Sequence, residues 1–202
     1  QAMDVLAGGE VPVLVDPEAA SLSGWRPAAL IDGRMRKSPP ETGLDAAPLI
    51  IGLGPGFTPG LDCHAVVETN RGHHMGRVLW DRPAETDTGR PEPSGGQAES
   101  RVLRAPVEGT ISGVIPLGSL VEAGALIARI GGREVRAPFR GALRGLVHDG
   151  VSVRSGDKIG DLDPRADVRF CYEVSDKALA VGGGVLEALL TARHTRPAIL
   201  GG

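Results

Sequence analysis

The 202-residue chain carries 22 basic and 25 acidic side chains, and this near balance, a formal net charge of -3, excludes a sustained positive field for nucleic acid or an anionic membrane surface. Its length fits one large domain or two small ones, and we expect two. Two distant cysteines exclude a zinc knuckle or a disulfide framework, and no apolar stretch is long enough to cross a bilayer, so the sequence predicts a cytoplasmic protein without a membrane or nucleic-acid partner.

Three short apolar runs near the start of the chain predict β-strands, at residues 10–16, 28–32 and 48–53. Each run is apolar on both faces, and spacings of roughly 15–20 residues favour parallel strands joined by crossovers. The segments between the runs carry little helical signal. We therefore predict that residues 1–60 form a partial α/β domain, a Rossmann-like remnant.

The next segment, residues 61–100, is predicted to hold a β-hairpin and a flexible loop. Residues 64–69 and 75–80 have the pattern of two strands, and an Asn-Arg-Gly turn lies between them. Residues 83–100 are rich in Pro, Gly, Ser, Glu and Thr, with hardly an apolar side chain. Because such a segment buries too little surface to offset its ordering entropy, we predict a mobile loop or interdomain linker there.

Residues 101–164 contain an internal repeat. Between residues 103 and 130, nine of 28 positions are identical to the residue found 32 positions later, and more than half of these matches are glycine or proline. Glycines at such positions favour tight turns with positive φ. One unit is too small to bury its apolar face, so two units are expected to close on each other as a quasi-symmetric barrel or sandwich.

The C-terminal segment, residues 165–202, is predicted to contain one strand and one helix. Residues 168–174 have an apolar strand pattern, and a helix is expected to begin at Ser175 to Lys177 and to include the leucine-rich stretch at 185–190. Together the elements predict a mixed α+β protein: a partial α/β domain, a β-rich barrel-sandwich domain made of two half-repeats, and a C-terminal helix.

The segment richest in functional residue types runs from Gly52 to His64, and the polar residues of the following hairpin extend the candidate region to His74. Its glycines would let backbone N–H groups approach an anion or a planar cofactor. Pro55 and Pro59 deny the helix that a dinucleotide-binding loop needs, and a structural crossover between domains is the alternative. The predicted ligand-binding residues are Gly52, Gly54, Gly56, Phe57, Thr58, Asp62, His64, Glu68, Asn70, Arg71 and His73.

Two other kinds of site are weighed for the same segment. Cys63 is a candidate nucleophile, with a buried and inert thiol as the alternative. Strand alternation directs Cys63 and Val67 to one face and His64 to the other, so Cys63 and His64 would make a poor catalytic dyad. His64, Glu68 and one of His73 or His74 are candidate metal ligands, but hydrogen-bonded polar groups of a hairpin explain them as well. We predict no metal site.

The repeat resembles the biotinyl/lipoyl attachment domains, through Ala-Pro-x-x-Gly at 105–109 and 137–141 and Gly-x-x-Val-x-x-Gly at 118–124 and 150–156. In that family the modified lysine lies on the hairpin that joins the half-repeats. Here that hairpin, residues 130–134, contains no lysine, and arginine is not an acyl acceptor. We therefore expect neither biotin nor lipoate, and a rigid body or docking surface instead.

Two longer stretches resemble a more specific family. They are residues 50–73 and 159–165, the second followed by Ser-Asp-Lys-Ala at 175–178 and Gly-Gly-Gly-Val-Leu-Glu-Ala at 182–188. These motifs resemble the accessory proteins of selenium-dependent molybdenum hydroxylases, and the resemblance covers nearly the whole chain. Members of that family carry a further glycine-rich α/β segment, so we expect such a segment upstream of Gln1.

The resemblance implies an accessory or maturation protein for a selenium-dependent molybdenum hydroxylase. It implies binding of a ligand related to the molybdenum cofactor or to a nucleotide, or of the hydroxylase itself. Whether any reaction is catalysed stays open. The alternatives are an enzyme that modifies the cofactor by sulfur or selenium transfer through Cys63, and a scaffold that binds no ligand.

Overall fold

The structure is a computed structural model that describes residues 2–35, 43–86 and 99–195, without the side chains of residues 193–195. Most of the predicted linker at 83–100 lies outside the described residues.

The protein is mixed α+β and rich in β-structure, with several sheets and a C-terminal helix, as the sequence predicted. It divides into two compact units, the first made of Gln1–Asp87 with Lys177–Gly202 and the second of Thr88–Asp176. Within the described ranges, no helix is both long and apolar enough to span a bilayer.

The first unit is built on one four-stranded sheet. Its elements are α1 (Ala2–Ala7), α2 (Leu22–Trp25), β1 (Leu30–Asp32), β2 (Ile50–Leu53), β3 (Ala65–Val67), β4 (Val78–Leu79) and α3 (Asp176–Thr195). The sheet order is β1-β2-β3-β4; the first three strands run parallel, and β4 pairs antiparallel with β3. The predicted hairpin and the parallel pairing of the strands predicted at 28–32 and 48–53 are therefore confirmed.

The strand predicted at residues 10–16 is wrong. These residues have no regular structure, and the side chains of Val11, Val13 and Val15 are 86, 93 and 101% exposed. No strand among the described residues pairs with this segment. β-branched residues favour a strand only where a neighbouring strand supplies hydrogen bonds and another layer covers one face.

α3 covers one face of the first sheet, where Leu49, Ile51 and Val67 pack with Ala188 and Ala192 of the helix. The predicted C-terminal helix is thus confirmed, and it continues without a break through its three consecutive glycines.

The contact between α3 and the β3–β4 hairpin brings backbone against backbone. A Cβ atom added at Gly184 would clash with the carbonyl oxygen of Gly76 and lie 2.8 Å from Cγ1 of Val67. A Cβ atom added at Gly76, whose φ is 82°, would lie 2.6 Å from the carbonyl oxygen of Ala180. Two facing glycines therefore permit the close packing of this helix.

The described residues of the second unit contain eight short strands. They are β5 (Val102–Arg104), β6 (Gly109–Gly113), β7 (Leu120–Val121), β8 (Leu126–Ile130), β9 (Arg133–Arg136), β10 (Gly141–Leu146), β11 (Ser152–Val153) and β12 (Lys158–Asp163). They form two antiparallel sheets, with the orders β5-β12-β10-β7 and β11-β6-β8-β9.

Both sheets of the second unit contribute to one core, which includes Leu103, Ile111, Ile127, Leu143 and Ile159. No strand pairing joins the two sheets, so the described residues contain no closed barrel. The arrangement is two open sheets around a shared apolar interior, which corrects the alternative of a closed barrel.

Glycines define the tight turns of this unit as predicted. Gly118 and Gly150 have φ of 82° and 84°, and Gly124 and Gly156 have φ of 83° and 85°. These two pairs are each separated by the repeat period of 32 residues. A residue with a Cβ would be strained at all four positions.

The strand predicted at residues 168–174 is also wrong. Val168–Cys171 form a 3-10 helix, whose first turn is capped by Asp167: its carboxylate accepts a hydrogen bond from the backbone N–H of Arg169. The preceding residue, Ala166, has a φ of 57° and turns the chain away from an extended path. Local side-chain hydrogen bonding thus outweighs the strand preference of these apolar residues.

Candidate functional site

The carboxyl ends of three parallel strands lie side by side at one edge of the first sheet. Asp32 at the end of β1 is in register with Gly52 of β2, and Leu53 at the end of β2 is in register with Val67 at the end of β3. The segments that follow all three strands therefore leave the sheet at this carboxyl edge. In open α/β sheets, ligands bind at the corresponding edge.

The segment after β2 depends on glycine for its packing. The ring of Phe57 occupies the place that a Cβ atom of Gly52 would take. Gly54 has a φ of 78°, its N–H donates to the carbonyl of Val67 (2.9 Å), and an added Cβ atom would lie 2.5 Å from Oγ1 of Thr69. The glycine-rich loop is therefore packed closely against the end of β3.

The rest of this loop is held by its own hydrogen bonds. The N–H of Thr58 donates to Oδ1 of Asp62 (2.8 Å), and the N–H of Asp62 donates back to the carbonyl of Thr58 (3.2 Å). Gly56 and Gly60 have φ of 98° and 82°. Asp62 is only 8% exposed, so its carboxylate supports the turn from within.

Cys63 is fully buried, in a core that includes Phe57 and Val66. Burial raises the pKa of its thiol to about 12, and the neighbouring charge and hydrogen bond of Asp62 act in the same direction. Such a thiol stays protonated at neutral pH, which weighs against the candidate nucleophile. The predicted shared face of Cys63 and Val67 is wrong, because β3 begins only at Ala65 and the alternation does not extend to Cys63.

His64 lies at the opposite end of β3 from the carboxyl edge. Its ring Nδ1 accepts a hydrogen bond from the backbone N–H of Ile50 (3.0 Å), and the backbone N–H of His64 donates to the carbonyl of Ile50 (2.9 Å). At about 3.3 Å per residue, His64 and Glu68 are roughly 13 Å apart along the strand. The structure thus separates the predicted ligand residues into an amino-end group with Asp62 and His64 and a carboxyl-edge group with Gly54, Glu68 and Arg71.

Glu68 organises the carboxyl edge from inside. It is 2% exposed, and its two carboxylate oxygens each accept a backbone hydrogen bond of 2.7 Å, one from Asn70 and one from Glu85. These bonds fix the turn after β3 and attach the segment around Glu85 to it. Glu68 is therefore a positioning residue for the edge, with both oxygens already engaged.

Glu85 is a polar residue of this region that the sequence did not indicate. Its pKa is lowered by a hydrogen bond from Nδ2 of Asn70 (2.6 Å) and by the neighbouring His74, whose Nδ1 lies 3.4 Å away. It belongs to the stretch predicted to be a loop from composition alone, and composition carries no sign of these partners.

Arginine and histidine side chains are exposed at the same edge. Arg71 and His73 are exposed in the turn after β3, and the ring of His73 meets that of His74 edge to face at 5.5 Å. Arg34, just beyond β1, donates to both carboxylate oxygens of Asp32, with its side chain 43% exposed. The Asp32–Arg34 pair was missed by the sequence analysis, although an acidic residue at the end of a predicted parallel strand is a signal for it.

Other features of the first unit do not add to this site. A cavity of about 570 Å³ lies near the amino ends of β1 and β2, lined in part by Leu22, Arg26, Pro27, Asp45 and Pro48. Among the residues that the structure describes, no group of three or more His, Cys, Asp or Glu side chains is placed to hold a metal ion.

Comparison with known proteins gives one extended sequence match. No family model matches the chain. It is 46% identical over 194 residues to the uncharacterized protein YqeB of Escherichia coli (strain K12), an alignment that covers 96% of this chain and 36% of YqeB. The chain therefore spans about a third of the length of this relative.

Two solved structures have partial similarity. One is an aspartoacylase family protein from Mesorhizobium loti, with a TM-score of 0.29 and 14% identity, and the other is the ectoine utilization protein EutE (DoeB) from Ruegeria pomeroyi, with a TM-score of 0.26 and 20% identity. Each match covers 42% of this chain and 27% of the other chain. Scores this low carry no argument about fold or function.

Proposed function

We propose that the chain is part of a cytoplasmic accessory protein of a molybdenum hydroxylase system, and that it binds a small phosphate-bearing ligand at the carboxyl edge of its parallel sheet. The similarity of residues 50–73 and 159–165 to that accessory family supports the class of protein. The ligand is related to the molybdenum cofactor or to a nucleotide, and the hydroxylase is the expected protein partner.

The observation that carries the ligand proposal is the exposed Arg71 beside the glycine-rich loop at the carboxyl edge. Glu68 fixes the turn that bears Arg71, through its hydrogen bond from the N–H of Asn70. A guanidinium on a fixed turn can form two parallel hydrogen bonds with a phosphate or carboxylate.

We further propose that the first unit is part of a Rossmann-like α/β domain and that the second is a pair of half-repeats of the biotinyl/lipoyl type. The parallel order β1-β2-β3 supports the former. For the latter, the strands β5, β6, β7 and β8 correspond in turn to β9, β10, β11 and β12. Exchanging each strand of the sheet β5-β12-β10-β7 for its counterpart gives β9-β8-β6-β11, which is the order of the other sheet read in reverse. The β8–β9 turn contains Gly131 and Gly132 but no lysine, which favours a docking role over a carrier role.

Calorimetric titration tests the ligand proposal, with dihydroneopterin triphosphate and ATP as probes. Arg71→Ala should weaken binding of the recognised probe by about 10- to 100-fold, because a hydrogen bond to a charged group contributes about 1.5–3 kcal/mol. Arg26→Ala is the matched control, since Arg26 is also exposed but precedes β1, at the amino end of the parallel strands. It should bind as the unchanged chain does.

Identical titrations for the unchanged chain and for Arg71→Ala would refute the assignment of the site. If neither probe binds or raises the melting temperature while the hydroxylase still co-purifies with the chain, the ligand-free scaffold is correct instead.

A further inference from the structure

α3 has a second apolar face that the sheet does not cover. Leu179, Leu186 and Leu190 are 70, 57 and 57% exposed, whereas Ala188 and Ala192 on the other face are fully buried. An exposed leucine alone is ordinary, but three on one helix face form a contiguous apolar strip.

The spacing of this face is that of a coiled coil. With Asp176 and Gly183, the three leucines occupy positions separated alternately by three and four residues, and we call this set the α3 seam (Asp176, Leu179, Gly183, Leu186 and Leu190). An alternation of three and four residues keeps a seam facing one partner helix. A helix that packs only on its own sheet needs one apolar face, whereas α3 has a second apolar face opposite the first.

The α3 seam is complementary to itself when a second copy runs antiparallel to it. A two-fold axis between Gly184 and Val185 places Leu179 against Leu190 of the second copy, and Leu186 against Gly183 of the second copy. A Cβ atom built at Gly183 meets no atom within 4 Å, so space is open there for an incoming leucine side chain. The seam therefore offers a knob and a matching hole on each copy.

The same axis matches charges. It brings Asp176 of one copy opposite position 193 of the other, where the sequence has an arginine. At each end of the helix pair, an acidic position of one copy then lies opposite a basic position of the other copy. An unrelated partner requires no internal two-fold match of this kind, whereas an interface between identical copies does.

We propose that α3 is a dimerisation helix, along which a second copy of this chain packs antiparallel through the α3 seam. This proposal is independent of the ligand site, because it concerns the helix face turned away from the sheet.

Sedimentation equilibrium of the 202-residue chain tests the proposal. The unchanged chain should be a dimer. Leu186→Glu should raise its dissociation constant at least about 100-fold, because both copies lose a buried leucine and gain a charge at the centre of the pair. Leu117→Glu is the matched control: Leu117 is 51% exposed in the second unit, and this variant should dimerise normally. Equal helical circular dichroism in both variants verifies folding.

A chain that stays monomeric at its highest soluble concentration would overturn the proposal, as would a Leu186→Glu variant that dimerises unchanged. With the first result, the α3 seam would instead contact another segment of the protein or a different protein.

Cysteine cross-linking tests the register. In a Cys171→Ser background, an oxidised mixture of Leu179→Cys and Leu190→Cys chains should form the disulfide between positions 179 and 190, which the antiparallel pairing brings into reach. Leu179→Cys alone should cross-link poorly. Efficient cross-linking of Leu179→Cys with itself would contradict the antiparallel arrangement.

Discussion

The three consecutive glycines of α3 allow the packing of this helix to be tested with one small substitution. Gly184 faces the sheet, and its missing Cβ leaves room for the backbone of Gly76, while Gly182 has no atom within 4 Å of a built Cβ. Both lie inside the same helix. Alanine in place of glycine within a helix gains about 1 kcal/mol from conformational entropy and helix propensity, wherever the methyl group fits.

We expect opposite outcomes for the two substitutions. Gly182→Ala should stabilise the first unit by about 1 kcal/mol. Gly184→Ala should destabilise it by about 1–3 kcal/mol, the usual cost of overpacking, because the clash is with a backbone carbonyl that no rotamer change can relieve. Separating the helix from the hairpin would also loosen the packing of Ala188 and Ala192 against the sheet.

Urea unfolding followed by circular dichroism measures the difference, which should be about 2–4 kcal/mol between the two variants. The slope of the transition must stay unchanged for the comparison to hold. If Gly184→Ala is as stable as Gly182→Ala, the helix does not pack on the hairpin at this position.

Three further predictions follow from single residues. Asp163 is 2% exposed, and its pKa is lowered to about 2, first by a hydrogen bond from Arg165. The ionised carboxylate should therefore contribute about 2 kcal/mol to the free energy of unfolding above pH 4. The loss of unfolding free energy in Asp163→Asn, measured by chemical unfolding, should shrink as pH falls from 5 toward 2. Cys63 should resist iodoacetamide at pH 7.5 until the chain is unfolded, as followed by mass spectrometry; labelling as fast as a free thiol would restore it as a nucleophile. Gly54→Ala should destabilise the first unit by more than Gly60→Ala, because both residues have positive φ but only Gly54 also meets a threonine side chain; equal losses in urea would contradict this.

Local patterns in the sequence predicted those elements whose partners are close along the chain. β3 and β4 are neighbours in the chain, and α3 contains strong helix formers, so both the hairpin and the helix could be identified from their own residues. Residues 10–16 and 168–174 have equally strand-like composition, yet neither is a strand. A strand needs a neighbour, and the sequence of one segment does not specify whether a neighbour is available.

The candidate site could be predicted in part for the same reason. The glycines and the polar residues of 52–74 marked the correct region, but residue types alone do not reveal which end of a strand each one occupies. Pairing of β2 with β3 places His64 at one end and Glu68 at the other. Glu68 is of a residue type that often binds ligands. Its burial and its two backbone hydrogen-bond donors instead make it a support for the turn that carries Arg71.

Chemical-shift mapping tests most directly whether a phosphate-bearing ligand binds at the carboxyl edge of the parallel sheet, as we propose. Dihydroneopterin triphosphate titrated into the ¹⁵N-labelled chain should shift the backbone amide signals of Gly54, Gly56, Asn70 and Arg71 together, with one common saturation curve. Shifts confined to the second unit, or an unchanged spectrum with both this probe and ATP, would contradict the claim.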